Sequence, residues 1–243
     1  MKIQSNSTIA DIVSENFKTA DIFKKYKIDF CCGGDKSIDK VCQEKGIPRE
    51  DLLSELSIYL KPADDENDYK NWDPVRLIDH IEKKHHRYVE RSLPLLRDYL
   101  AKVDSAHGAN HPEVVKIREL FNASADELTK HMKKEELMLF PYIKQMWNAQ
   151  QNNTEVNTPP YGTVKNPIQM MELEHDTEGG RFDEIQKLSD NFTPPEDACN
   201  TYKVTYYKLQ EFQEDLHTHI HLENNILFPM ALEMEEELAK KKK

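Results

Sequence analysis

The chain has 243 residues, with 33 Lys and Arg against 44 Asp and Glu, and a formal charge of −11. That balance argues against nucleic acid as the main partner, because duplex binding rests on neutralising phosphates. No stretch approaches the roughly 18 uncharged apolar residues of a membrane span, and the opening Met-Lys-Ile-Gln-Ser-Asn-Ser-Thr holds no apolar run suited to a signal peptide, so a cytoplasmic location is expected.

Only 7 glycines, 32% charged residues and long Glu-, Lys- and Leu-rich stretches of 3.6-residue periodicity predict an all-α protein. Residues 1–60 read as a small helical domain. Ser7 or Thr8 can cap a helix carrying Ile9, Ile12 and Val13, and a second segment carries Ile22, Phe23 and Tyr26. Cys31-Cys32-Gly33-Gly34 forces a turn. Ser37 can cap a third segment, and Pro48 suits the first turn of a fourth with Leu52, Leu53, Leu56 and Leu60 on one face. The polar, acidic run 61–71 reads as a linker.

Residues 72–240 read as an antiparallel four-helix bundle. Asp73-Pro74 opens its first helix, which Pro94 is expected to kink or divide. Pro112 opens the second, Asn166-Pro167 the third, and Thr193-Pro194-Pro195 precedes the fourth.

Within these helices one segment occurs twice. Residues 131–141 are His-Met-Lys-Lys-Glu-Glu-Leu-Met-Leu-Phe-Pro, and residues 219–229 are His-Ile-His-Leu-Glu-Asn-Asn-Ile-Leu-Phe-Pro. Residues four apart share a helix face, so His131/Glu135 and His219/Glu223 each point an imidazole and a carboxylate one way. That face is apolar, and a charge there is costly unless paired or coordinated to metal. The other two helices offer His86 and His175 at helical spacing from apolar residues, 45 residues before His131 and 44 before His219. Four imidazoles and two carboxylates exceed the needs of four-coordinate zinc. They suit two octahedral metals bridged by both carboxylates and by solvent, and the nitrogen excess favours iron. Taken alone, the Leu-Phe-Pro sequences read as core packing and a helix kink.

Periodicity selects His86 over its neighbour His85. His217 and His221, two positions either side of His219, are expected in solvent; His107 and His111 fall in a link. Glu127 and Glu174 read either as carboxylates that steady a ligand or pass a proton, or as plain surface groups. Gly179-Gly180 weakens a helix and suggests a close approach or an access route. Cys31 and Cys32, adjacent and too strained to bond each other readily, read as metal-transfer ligands, nucleophiles, a redox relay, or small apolar residues in a turn. In this compartment all four cysteines, with Cys42 and Cys199, are expected reduced.

Tyr26…Phe30-Cys31-Cys32-Gly33-Gly34, His86 ahead of Leu93-Pro94, His131-Met-Lys-Lys-Glu135, Glu174-His175-Asp176 and His219…Glu223-Asn-Asn-Ile-Leu-Phe-Pro together resemble the iron–sulfur cluster repair di-iron proteins. The resemblance covers nearly the whole chain. It implies a hemerythrin-like bundle holding two non-haem irons, oxo- or hydroxo-bridged when oxidised, on the six residues His86, His131, Glu135, His175, His219 and Glu223. It implies recovery of damaged iron–sulfur proteins after nitric oxide or peroxide stress, by iron donation or nitric oxide reduction. It also puts Cys31 and Cys32 on the route to that centre. The chain departs from the pattern around His86, where the second histidine precedes the ligand. Two other functions compete: a hemerythrin-type oxygen or nitric oxide carrier or sensor without turnover, and a structural helical protein. A small domain on a polar linker also makes a homodimer an expectation.

Overall fold

The computed structural model describes residue 3 and residues 7–57 and 68–241. Residues 61–67 of the expected linker, Leu60 of the fourth predicted helix, and Lys242 and Lys243 lie outside the described residues. Among those described, no strand occurs, and contacts divide the chain into two compact units.

The first unit comprises Met1–Ile78, Ile143–Asn157 and Thr218–Lys243. It contains α1 (Ile9–Glu15), α2 (Ala20–Lys25), α3 (Ile38–Lys45) and α4 (Arg49–Ser57). Thr8 caps α1 in a reciprocal box: its hydroxyl accepts from the Asp11 amide at 3.0 Å, and Asp11 accepts from the Thr8 amide at 3.4 Å. Ser37 caps α3, and Gly46 ends it in the left-handed region at φ 65°. Ile9, Ile12, Val13, Phe23, Phe30, Ile38, Leu52 and Leu56 form the core of these short helices. Between α2 and α3 the chain turns on Asp29, whose carboxylate accepts from the amides of Cys31 (2.9 Å), Cys32 (3.1 Å) and Gly33 (2.8 Å). A Cβ on Gly34 would stand 2.9 Å from the Phe30 carbonyl oxygen and 3.0 Å from Ala10 Cβ, so glycine is required there by close approach.

Four long helical stretches follow. Asp73 caps α5 (Pro74–His80), accepting from the Arg76 amide at 2.9 Å. A π-helical turn, Ile81–His86, continues into α6 (Arg87–His107). The helix runs on through Pro94, which lies on the exposed side where solvent reaches the backbone, so the expected division is absent. Next come α7 (Pro112–Lys134), a π turn Glu135–Leu139, and α8 (Phe140–Asn152). After a polar connection α9 runs Lys165–Leu188. Finally come α10 (Asn200–Leu222), a π turn Glu223–Leu227, and α11 (Phe228–Lys241).

The second unit comprises Asp79–Tyr142 and Thr158–His217. Its core receives one aromatic ring from each of α6, α7, α9 and α10. Phe212 stacks on Phe182 (centroids 5.4 Å, planes 18° apart), meets Phe121 edge-on at 5.6 Å, and lies 6.0 Å from Tyr88.

Both repeats owe their π turns to the proline that ends them. Pro141 and Pro229 have no amide hydrogen to donate four residues back, and their rings crowd that carbonyl. The ladder reopens one residue wider: the Phe140 amide donates to the Glu135 carbonyl and the Phe228 amide to that of Glu223, five residues back in each case. The Leu-Phe-Pro element therefore does more than pack and kink, because it sets the backbone under each glutamate. Gly180 shows no such purpose. It is exposed inside α9, and a Cβ built on it meets nothing within 4 Å. Gly180→Ala is expected to raise stability by about 0.5–1 kcal/mol, read as a higher urea midpoint at unchanged slope.

Candidate metal centre

His86, His131, Glu135, His175, His219 and Glu223 are all buried, none more than 3% exposed. Six such side chains in a soluble core need a common explanation. In the second unit His86 Nε2 lies 3.5 Å and His131 Nε2 3.3 Å from the same Glu135 oxygen, Oε2. His175 Nε2 stands 3.0 Å from His131 Nε2, and His131, Glu135 and His175 offer ligand atoms within 4.8 Å of one another. In the first unit His219 Nε2 and Glu223 Oε1 are 2.9 Å apart across one turn. Glu135 and Glu223 each open a π turn and His86 closes one, so three of the six sit where the helix is locally widened.

The outward edges of two of these imidazoles are held by carboxylates. His86 Nδ1 lies 3.0 Å from Glu136 Oε1, and His131 Nδ1 lies 2.8 Å from Glu174 Oε2. The proton then sits on Nδ1, and the Nε2 lone pair turns toward Glu135, the tautomer a metal requires. Glu174 also accepts from Lys134. The bond from His131, reinforced by that ammonium, holds the Glu174 carboxyl down at about 2 despite partial burial. Imidazole nitrogens facing buried carboxylates are a donor set for a first-row transition metal rather than for calcium or magnesium, which take oxygen.

Residues 77–231 match the hemerythrin HHE cation-binding domain, and residues 5–58 match a domain of unknown function designated ScdA_N. The chain is 30% identical to the iron-sulfur cluster repair protein ScdA of Staphylococcus haemolyticus, over 93% of this chain and 98% of that one. This chain belongs to the iron–sulfur cluster repair protein family. It is also 36% identical to a probable iron-sulfur cluster repair protein of Haemophilus influenzae, over 87% of this chain and 90% of the relative. Identity to the iron-sulfur cluster repair protein YtfE of Yersinia pestis is 34%, over 88% and 91%. The resemblance drawn from the motifs is thereby established, and the fold of this repair-family chain is the expected all-α, hemerythrin-like bundle. No described helix is long and apolar enough to cross a membrane.

Several residues of this repair-family chain stand where sequence reasoning did not put them. Glu127 is exposed and pairs with Lys130 at 2.9 Å, whereas Glu174 reaches His131. Glu136 went unnoticed beside Glu135, although a second carboxylate adjacent to a ligand is a usable signal. His85 is as buried as His86 because the π turn brings both inward; His85 Nδ1 meets Asp215 at 2.9 Å. His221, expected in solvent, has no exposed surface. Phe17 and Phe30 pack on its ring, burial pushes its ionisation down to about 4, and its Nδ1 lies 3.3 Å from the Phe30 carbonyl oxygen. The reason is that this side of the C-terminal stretch is covered within the first unit, not exposed. Beside it Asn225 donates to the carbonyls of Cys31 at 3.1 Å and Phe30 at 3.4 Å. The cysteine turn is thus bonded to the π turn that begins with Glu223.

Cys31 is buried and Cys32 half-buried, their sulfurs 3.9 Å apart. The Cys31 thiol donates to Asp29 Oδ1 at 3.1 Å. Its bond to Cys32, burial and the Asp29 charge push its ionisation well above the usual thiol range. Asp29, Cys31 and Cys32 offer three ligand atoms within 4.8 Å.

Proposed function

We propose that this chain repairs iron–sulfur proteins damaged by nitrosative or oxidative stress, using two non-haem irons held by His86, His131, Glu135, His175, His219 and Glu223. In this reading His86 and His219 serve one iron, His131 and His175 the other, and Glu135 and Glu223 serve both. The observation that carries it is the convergence of two carboxylate-locked imidazoles on one fully buried glutamate oxygen. The names of the relatives supply the biological direction, with damaged iron–sulfur proteins as clients in the cytoplasm. Two irons bound there would supply open ferrous positions for nitric oxide or oxygen and a store of releasable metal.

The protein's own groups do the rest. Glu136 and Glu174 keep Nδ1 protonated and Nε2 available. Asp29 presents Cys31 and Cys32 together on one turn, residues 1–60 supplying that domain and 72–240 the bundle. A high-lying Cys31 thiol gives up its proton only to a metal, and the half-buried Cys32 is the first sulfur that an outside client meets. A carrier or sensor without turnover gains nothing from such a turn.

The test replaces both cysteines: Cys31→Ala with Cys32→Ala is expected to retain its iron while losing recovery of a nitric-oxide-damaged [4Fe–4S] enzyme. Full recovery by the iron-loaded double variant would remove the cysteines from the pathway. Absence of iron from the native chain after anaerobic loading would remove the centre itself.

A further inference from the structure

The turn between α6 and α7 carries a second group of metal-type donors, which the function above does not use. We propose that His107, His111 and Asp197 bind a single zinc-class divalent ion. His107 is the last residue of α6, His111 precedes Pro112 at the start of α7, and Asp197 lies in the segment leading to α10. The site stands roughly 30 Å from His86 along α6, at about 1.5 Å per residue, and shares no residue with the six central donors.

Four observations support it. First, His107, His111 and Asp197 each offer a ligand atom, all within 4.8 Å of one another. His111 Nε2 stands 3.0 and 3.1 Å from the two Asp197 oxygens, close to the ~3.3 Å edge of a tetrahedron with ~2.05 Å bonds to zinc. Second, the other edge of His111 is already held: Nδ1 lies 3.0 Å from Glu113 Oε1. A carboxylate behind a histidine, with the opposite nitrogen facing a further donor, is the usual support of a zinc ligand. Third, both rings are set by the same aromatic wall, Tyr202 meeting His107 edge-on at 5.2 Å and His111 at 5.8 Å. Tyr202 is fully buried and bonded to the Tyr206 hydroxyl at 3.2 Å, so the wall is fixed. Fourth, the backbone turn is tight. The amides of Asn110 and His111 both donate to the His107 carbonyl, and a Cβ on Gly108 would stand 2.6 Å from the Asp104 carbonyl oxygen.

Two imidazoles and one carboxylate leave the fourth tetrahedral position to water. Asp197 and Glu113 already favour positive charge here, raising the ionisation of His111, and a divalent cation meets the same pair of carboxylates.

The experiment titrates zinc into the iron-loaded full chain, following heat and iron content together, and repeats it with cobalt to read coordination from visible absorption. The native chain is expected to take up one zinc without releasing iron, and cobalt there to show the intense bands of a four-coordinate site. His107→Ala and Asp197→Asn should abolish that uptake, and Glu113→Gln should weaken it 10–100-fold. Zinc also fits the central donors, so the chains are compared at equal iron content and equal helical content; Asp197 is 61% exposed and its replacement spares the core. Native uptake absent, or unchanged in His107→Ala and Asp197→Asn, would show that His111 and Asp197 form an ion pair and nothing more. Either result is read independently of whether the central site holds iron.

Discussion

Glu135→Gln and Glu223→Gln chains are expected to gain almost nothing from iron, whereas the native chain gains about 4 kcal/mol at free iron a thousandfold above its dissociation constant. Glutamine keeps the shape of a fully buried glutamate and removes the charge, so packing is preserved while a bridging anion is lost. The measurement is urea denaturation under anaerobic conditions, with ferrous iron and with a strong chelator, alongside iron analysis of the folded protein. In the native chain the two curves should separate by a large part of the 5–15 kcal/mol that ordinarily holds a domain together. In each variant the curves should nearly coincide. A Glu135→Gln chain that kept two irons and the full separation would deny that carboxylate its bridging place. The use of glutamine matters here, because alanine would add a cavity and blur the reading.

Phe212→Ala should cost about 3–5 kcal/mol, the largest effect expected of any single truncation far from the metal donors. The ring is fully buried and touches Phe182 by stacking and Phe121 edge-on, with Tyr88 beside them, so it joins α6, α7, α9 and α10 in one layer. Aromatic pairs of this kind add about 0.5–1.5 kcal/mol beyond the area they bury. Phe212 and Phe182 are each seven residues, about two turns, from His219 and His175 on their own helices. Loosening this layer should therefore also weaken iron binding, although no donor is touched. Denaturant midpoints with an unchanged slope would report the stability loss, and a competition titration with a chelator would report the affinity. A change below about 1 kcal/mol would mean that the layer can collapse around the missing ring.

Much of this was legible in the sequence, for physical reasons. A repeated His-x-x-x-Glu on an apolar face is costly to bury without a function, so it stood out against the ordinary charge pattern. Caps made of Thr8, Ser37 and Asp73 are local, and the structure uses each one where it was expected. What periodicity could not follow was the π turn, because a helix widened by one residue abandons the 3.6-residue phase from which faces are counted. His85 and His86, side by side and both buried, show the consequence. Reading His221 as solvated failed for another reason. A helix face opposite the metal donors belongs to solvent only when nothing else covers it, and here Phe17 and Phe30, about two hundred positions earlier in the chain, cover it. Such long-range cover leaves no trace in local pattern. Glu174 was separable from Glu127 only in three dimensions, since both are acidic residues close to a histidine in helical sequence.

Asn225 lies two residues after Glu223 in the same π turn, and its amide holds the Phe30 and Cys31 carbonyls. Two events therefore share one stretch of backbone: loading of the Glu223 carboxylate and seating of the cysteine turn. Thermodynamic linkage makes any influence between them mutual. By whatever factor a seated turn tightens the hold on metal, metal tightens the hold on the turn, and a thiol that leaves its seat lowers the grip on the cargo by that same factor.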